Sequence, residues 1–309
     1  MKTLVTGGAG FVGSHLVDRL ANEGHEVICF DNFITGRKEN IKNSKIKILQ
    51  GDVNNKEDVR DLFKKHRFDN VFHYAALVGV KRTLETPLDV LGDVEGIKNI
   101  LEAARKQDVK KVVFSSSSEV YGDPVEIPEK EDGHLNPKLP YAVVKLIGEK
   151  YLEAYHKKYG LNTTSLRFFN VYGPRQDSSD YGFVVGIFIK QALKNQPPTI
   201  YGDGTQTRDF VFIEDNINAT LKTMTSRESN GQSINIGTGM PITIYNLAQK
   251  IIKLCGKNIE PVFVNNQRED VRHRFPEIKK MIDLLDYKPI FDLDRGLKKT
   301  IGWYKKEGK

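Results

Sequence analysis

Through the first half of the chain, short runs of apolar and β-branched residues alternate with longer stretches of helical spacing. That alternation predicts strands joined by helical crossovers, a parallel sheet covered on both faces. The runs Thr3–Thr6, Glu26–Phe30, Lys45–Leu49, Asn70–His73, Lys111–Ser116 and Thr163–Phe168 read as strands. Helical spacing marks Phe11–Glu23, Lys56–His66, Leu88–Lys106 and Tyr141–Tyr159, the last opening after Pro140. Six strands so connected make a doubly wound α/β sheet. After Asn170 the strict alternation stops, and a loop rich in Gly, Pro, Asp and Ser leads into shorter elements. One further helix is expected over Thr243–Cys255, between Pro241 and Gly256. The expected division is therefore a domain over residues 1–170, to which later segments return, and a smaller α/β region over residues 171–309.

The chain has 309 residues, 39% of them hydrophobic and 28% charged, within the ordinary range for a globular protein. Two cysteines cannot build a disulfide framework, so a reducing, cytoplasmic setting is expected. Structural zinc is likewise not expected. No apolar stretch approaches the roughly 20 residues that cross a bilayer, and no secretory apolar region precedes the glycines at 7 and 8. The net charge of +7 invites a nucleic-acid partner. Its lysines, however, fall in scattered pairs with acidic neighbours, the pattern of solvated helix faces, so the surplus points instead to a small anionic ligand.

The first predicted strand runs into Gly7-Gly8-Ala9-Gly10-Phe11-Val12-Gly13 and then a helix. Glycines at 7, 10 and 13 suit a tight turn, a close approach of pyrophosphate to a helix N-terminus, and close helix–strand packing. Strand before and helix after is the context that gives this motif its meaning. Asp31, at the end of the second strand, stands where an acidic side chain accepts hydrogen bonds from an adenosine ribose, which favours NAD; Arg37 and Lys38 leave NADP open. Asn32, Asp52, Val53, Ala75 and Ala76 follow later strand ends and complete the expected cofactor contacts with Phe11 and Val12.

Tyr141 and Lys145 are one helical turn apart on one face. A tyrosine is a poor base at neutral pH, and a nearby ammonium favours its phenolate. Upstream, Ser115-Ser116-Ser117-Ser118-Glu119-Val120-Tyr121-Gly122 follows the fifth strand, at the edge where open parallel sheets hold ligands.

Taken together with His73-Tyr74-Ala75-Ala76, Leu166 to Arg175, Gly202-Asp203-Gly204, Arg208-Asp209-Phe210 and Arg268-Glu269-Asp270-Val271-Arg272, these segments resemble the extended short-chain dehydrogenase/reductase family. The likeness covers essentially the whole chain, lies in the nucleotide-sugar epimerase and dehydratase branch, and is nearest in pattern to the UDP-glucose 4-epimerases. It implies a Rossmann domain with a smaller substrate-binding region, NAD as cofactor, a UDP-sugar as substrate, and a dimer formed through residues 88–106 and 141–159. Ser117 and Tyr141 are then catalytic, Lys145 holds the nicotinamide ribose, and Phe168 lies near the nicotinamide. Asn170, Arg208 and Arg268 hold the diphosphate, Asp270 lies toward the uridine, and Tyr201 joins the substrate contacts. Tyr141 would take the C4 hydroxyl proton as C4 hydride passes to NAD, and the 4-keto sugar would turn before the hydride returns to its other face.

Three residues depart from the epimerase pattern. Glu119 makes Ser-Glu-Val-Tyr-Gly look like UDP-glucuronate decarboxylases, and it also resembles the acid pair of 4,6-dehydratases. In an extended segment it would share a face with Ser117 and could shuttle a C5 proton. Against this, Ser118 is not acidic, Leu77-Val78-Gly79-Val80 lacks the decarboxylase prolines, and Asp177 stands where some uronate epimerases have arginine. The plain alternative for Glu119 is a carboxylate tied to backbone or to an arginine. Asp93 replaces the usual asparagine and requires a different local network. Arg274 is bulky where a small residue is usual, suited to crowding an N-acetyl group or reading a sugar carboxylate. A non-catalytic binding protein on the same fold would not need Ser117, Tyr141 and Lys145 together.

Overall fold

The computed structural model describes residues 1–179, 182–265 and 271–307, with residues 80 and 81 described by backbone alone. Among the described residues, seven strands form one parallel sheet. They are β1 (Lys2–Thr6), β2 (Glu26–Asp31), β3 (Lys47–Gln50), β4 (Asn70–His73), β5 (Lys111–Ser117), β6 (Thr163–Phe168) and a last strand, Gln232–Ile236. Their spatial order is Gln232–Ile236, β6, β5, β4, β1, β2, β3. The order reverses between β1 and β4, and there, at the carboxyl ends, a doubly wound sheet opens a crevice.

Strand residues alternate between two cores. Leu4, Ile28, Val71 and Val112 pack in one with Val59 and Leu62 of α2 (Lys56–Lys65) and with Ile97, Ile100 and Leu101 of the helix Pro87–Lys106. Val5, Cys29, Phe72, Val113, Leu166 and Ile234 pack in the other with Leu16, Val17 and Leu20 of α1 (Phe11–Asn22), and with Phe188, Ile217 and Leu247 from helices beyond residue 180. Strands buried on both faces read as continuous apolar runs, which is why the sequence marks them. Each buried Val, Leu or Ile side chain contributes about 1.5–3 kcal/mol relative to exposure.

Local signals set the helix ends. Asn55 caps α2, its side-chain oxygen accepting from the Glu57 N–H at 2.9 Å. The helix Pro140–Tyr159 starts with proline in its first turn and stops at left-handed Gly160, φ 68°. Thr243 caps Ile244–Cys255 by accepting the Asn246 N–H at 3.1 Å.

Two local details differ from the sequence expectation. The seventh strand, Gln-Ser-Ile-Asn-Ile, is mostly polar; its Asn235 side chain is satisfied by the Tyr121 hydroxyl at 2.7 Å and the Glu129 carbonyl at 2.9 Å. Burial supplied by distant neighbours thus makes a strand that periodicity does not announce. Residues Ser118–Tyr121 form a 3₁₀ turn rather than an extended segment, with the Ser117 hydroxyl accepting the Glu119 N–H at 3.2 Å. The period-two argument placing residues 117 and 119 on one face therefore fails.

The helix Pro140–Tyr159 is tied to the sheet by a buried ion pair. Arg167 of β6 donates Nη2–H to Glu149 Oε2 at 2.7 Å and Nε–H to Oε1 at 2.9 Å. Its Nη1 donates to the Tyr121 hydroxyl at 2.9 Å and the Glu131 carbonyl at 3.0 Å. Burial works against the charge on Arg167, and Glu149 with Tyr121 outweighs it, holding the guanidinium firmly protonated. Breaking such a pair from one side leaves a buried charge alone, so Glu149→Leu should cost about 3–5 kcal/mol in urea unfolding, and adding Arg167→Met should recover most of the loss.

Candidate active site

β1 runs into Gly7, whose φ of +66° favours glycine and where a Cβ would stand 2.6 Å from the Ala75 nitrogen. A Cβ on Gly13 would press into the Gly7 carbonyl. The loop therefore folds tightly only because these positions lack side chains. Gly10 offers the α1 amides no side-chain acceptor, and the first turn of α1 carries no acidic residue. The positive end of this helix thus stays open to an anion. Gly7, Gly10, Phe11, Val12 and Gly13 line a cavity of about 800 Å³.

Asp31 closes β2 on the same cavity. Its Oδ2 accepts the Ala9 N–H at 2.9 Å and its Oδ1 accepts the Phe33 N–H at 2.8 Å. Burial pushes this carboxyl up, and the two N–H groups oppose the shift. Each oxygen keeps acceptor capacity for a ribose hydroxyl. Asn32 donates to Asp52 Oδ2 at 3.1 Å, and Asn32, Asp52, Val53, Ala75, Ala76 and Phe168 all line the cavity. Asn54 and Gln176, which no sequence motif marked, line it as well, as does Leu77.

Across the cavity, Ser117, Tyr141 and Lys145 converge. All three side chains line the cavity, and the Ser117 hydroxyl lies close enough to the Tyr141 phenol to favour its ionised form. Lys145 Nζ lies 5.4 Å from the Tyr141 ring centre, 4.8 Å from that of Phe114, and 3.4 Å from Ser115 Oγ. Burial pushes the phenol well above its ordinary value, with Ser117 opposing and the Glu119 and Asp93 carboxylates adding to the rise. Burial also lowers Lys145 to about 8, opposed by Asp93. Asp93 is held by the Leu77 N–H at 2.7 Å and the Asn54 amide at 3.2 Å, a network built of donors that suits an aspartate.

The substrate residues expected from sequence divide into three groups. Asn170 lines the cavity and donates to the Asp209 carbonyl at 2.9 Å. Tyr201, 62% exposed, and Arg208, whose Nη1 donates to the Thr207 carbonyl at 2.8 Å, stand outside its wall. Arg268 and Asp270 lie outside the described residues. Glu119 lines the cavity, and its carboxylate is paired with Arg274 Nη1. Arg274 is 4% exposed and also donates from Nη2 to the Gly122 carbonyl at 2.9 Å. The cation at 274 is thus paired with Glu119, the plain alternative the sequence offered for that carboxylate. Two departures noted separately in the sequence are one interaction, and nothing local joins residues 155 positions apart.

The chain matches the NAD dependent epimerase/dehydratase family over residues 3–237. It belongs to that family. The UDP-glucose 4-epimerase of Mycolicibacterium smegmatis is 36% identical, with 99% of each chain covered. The UDP-N-acetyl-alpha-D-glucosaminuronate decarboxylase of Bacillus cytotoxicus is 35% identical, with 98% of each covered. The crystal structure of Thermotoga maritima UDP-glucose 4-epimerase with UDP-glucose superposes with a TM-score of 0.96 at 36% identity, covering 100% of both chains. The protein is thus an enzyme of the NAD-dependent epimerase/dehydratase family, and its cofactor is NAD. The glycine cradle, the uncapped α1 amides and the Asp31 carboxylate fit that group.

Tyr141→Phe, which keeps the ring and removes its hydroxyl from the cavity, should lower kcat by about a hundredfold to ten-thousandfold while bound NAD, measured by mass, is unchanged. The Lys145 ammonium is present below about 8 and lost above it. The pH profile of kcat/KM should therefore fall on its alkaline side. Asp93→Asn removes the charge that opposes burial at Lys145, so that limb should move to lower pH.

Proposed function

We propose that the enzyme inverts C4 of a UDP-hexose, interconverting UDP-glucose and UDP-galactose through a 4-keto sugar. The observation that carries this reading is the convergence of Ser117, Tyr141 and buried Lys145 on one cavity with the Gly7–Gly13 loop. When bound, NAD supplies a two-electron acceptor that can also give the electrons back. Tyr141 accepts the proton of the C4 hydroxyl and later returns it, while the Ser117 hydroxyl holds the same oxygen. Lys145, charged below about 8, supplies a positive charge beside the phenol, which burial alone would keep protonated. Phe168 and Asn170 bound the space in which the sugar turns. Affinity then resides in the nucleotide and diphosphate, since contacts to the hexose must be broken at each turnover. Arg208 and Arg268 are the diphosphate anchors in this reading, because a guanidinium fork matches phosphate oxygens.

The reading extends to a homodimer. Leu88, Leu91 and Tyr159 are exposed apolar side chains along the helices expected to pair.

A second reading, decarboxylation of a UDP-uronate, is favoured by the Glu119–Arg274 pair at the cavity wall. A C6 carboxylate beside a C4 ketone is a β-keto acid, which loses carbon dioxide readily, and Glu119 would then manage the C5 proton.

Incubation with a panel of UDP-sugars, followed by NMR, separates the two. UDP-galactose formed from UDP-glucose, with no net NADH, is the expected result. Carbon dioxide and a UDP-pentose from UDP-glucuronate, without C4 inversion of UDP-glucose, would establish the second reading instead.

A further inference from the structure

Arg274 stands between two carboxylates. On the cavity side is Glu119, paired to Nη1. Behind it is Glu129, 3% exposed, on a segment that runs beside the chain carrying Arg274. The Glu129 N–H donates to the Phe275 carbonyl at 3.0 Å, and the Glu277 N–H donates to the Glu129 carbonyl at 2.9 Å. Glu129 Oε2 accepts the Phe275 N–H at 2.7 Å. Glu129 Oε1 and Arg274 Nε are both buried and both without a hydrogen-bond partner. An acceptor and a donor left over in the same buried corner are each costly, and each is the chemical complement of the other.

We propose that Glu129 is a positioning residue that competes with Glu119 for the Arg274 guanidinium, so that its ionisation sets how far Glu119 is neutralised at the cavity wall. When Glu129 is protonated, the charge of Arg274 serves Glu119. When Glu129 is ionised, it draws on the unused Nε edge of the guanidinium, and Glu119 becomes a more exposed negative charge and a stronger base. Burial pushes Glu129 up to about 7, with the Phe275 N–H, Arg274 and Arg208 opposing, so the exchange falls in the neutral range. Arg274 and Arg208 are the charged groups facing Glu129. Glu131, two residues on, turns to the Asn235 N–H at 2.8 Å and feels Lys280 and Arg167. Glu277 meets Glu129 through its backbone. The inference holds whichever sugar reaction the enzyme performs, because it concerns the state of Arg274 and not the substrate.

The test is an NMR titration of the NAD-loaded enzyme labelled with carbon-13 at glutamate carboxyls. One carboxyl should titrate with a midpoint near 7, against the ordinary 4.5. That signal should vanish in Glu129→Gln, and the same variant should lose any inflection near 7 in its kcat/KM profile. Glu119→Gln, which removes the competitor, should lower the Glu129 midpoint by about 1 pH unit as Arg274 turns wholly to it. This second variant leaves Glu129 in place, so it decides the matter even where Glu129→Gln does not fold. A spectrum with no glutamate titrating near 7 overturns the proposal, and so does a midpoint that Glu119→Gln leaves unmoved, which would make Glu129 a structural clasp and nothing more.

Discussion

A single buried guanidinium organises the catalytic half of the molecule. Arg167 cannot remain in the interior as an unpaired charge, and its donors find partners on the long helix, on the turn after β5 and on the segment around Glu131. Glu149, its main partner, lies four residues beyond Lys145 and eight beyond Tyr141, so the three share one helical stripe. Holding Glu149 against β6 therefore fixes the angle at which Tyr141 and Lys145 enter the cavity. Through Tyr121 the same guanidinium holds the turn just past Ser117. Tyr141 and Lys145 on one side and Ser117 on the other are thus fastened to one point.

Electrostatics in the cavity are arranged in opposed pairs: Lys145 faces Asp93, and Glu119 faces Arg274. The protein alone leaves Tyr141 as a phenol and brings Lys145 close to losing its proton. Such a site is poised rather than fixed. Small changes in charge at its wall shift both groups.

Much of this architecture is legible in the sequence. The core strands announce themselves because burial on both faces demands continuous apolar runs, and the glycine loop because Gly7 and Gly13 tolerate no side chain. Tyr141 and Lys145 sit at a helical spacing that can be read directly. The Gln232–Ile236 strand is not legible, since its burial is conferred by β6 and not by its own pattern. Nor is the link between Glu119 and Arg274, where the fold alone brings the partners together. The Ser118–Tyr121 turn escapes a reading by pattern because a short polar run carries no period, and its geometry is set by a hydroxyl capping an amide two residues on.

The position of the last strand bears on how the chain matures. During synthesis β6 emerges with one edge unpaired, and the strand that covers it appears only after residues 171–231 have been made. Until then the Tyr121 hydroxyl lacks its Asn235 acceptor. The nascent Rossmann half is thus an open-edged intermediate whose completion waits on a segment remote in sequence, a topology that links assembly of the nucleotide-binding half to translation of the smaller region.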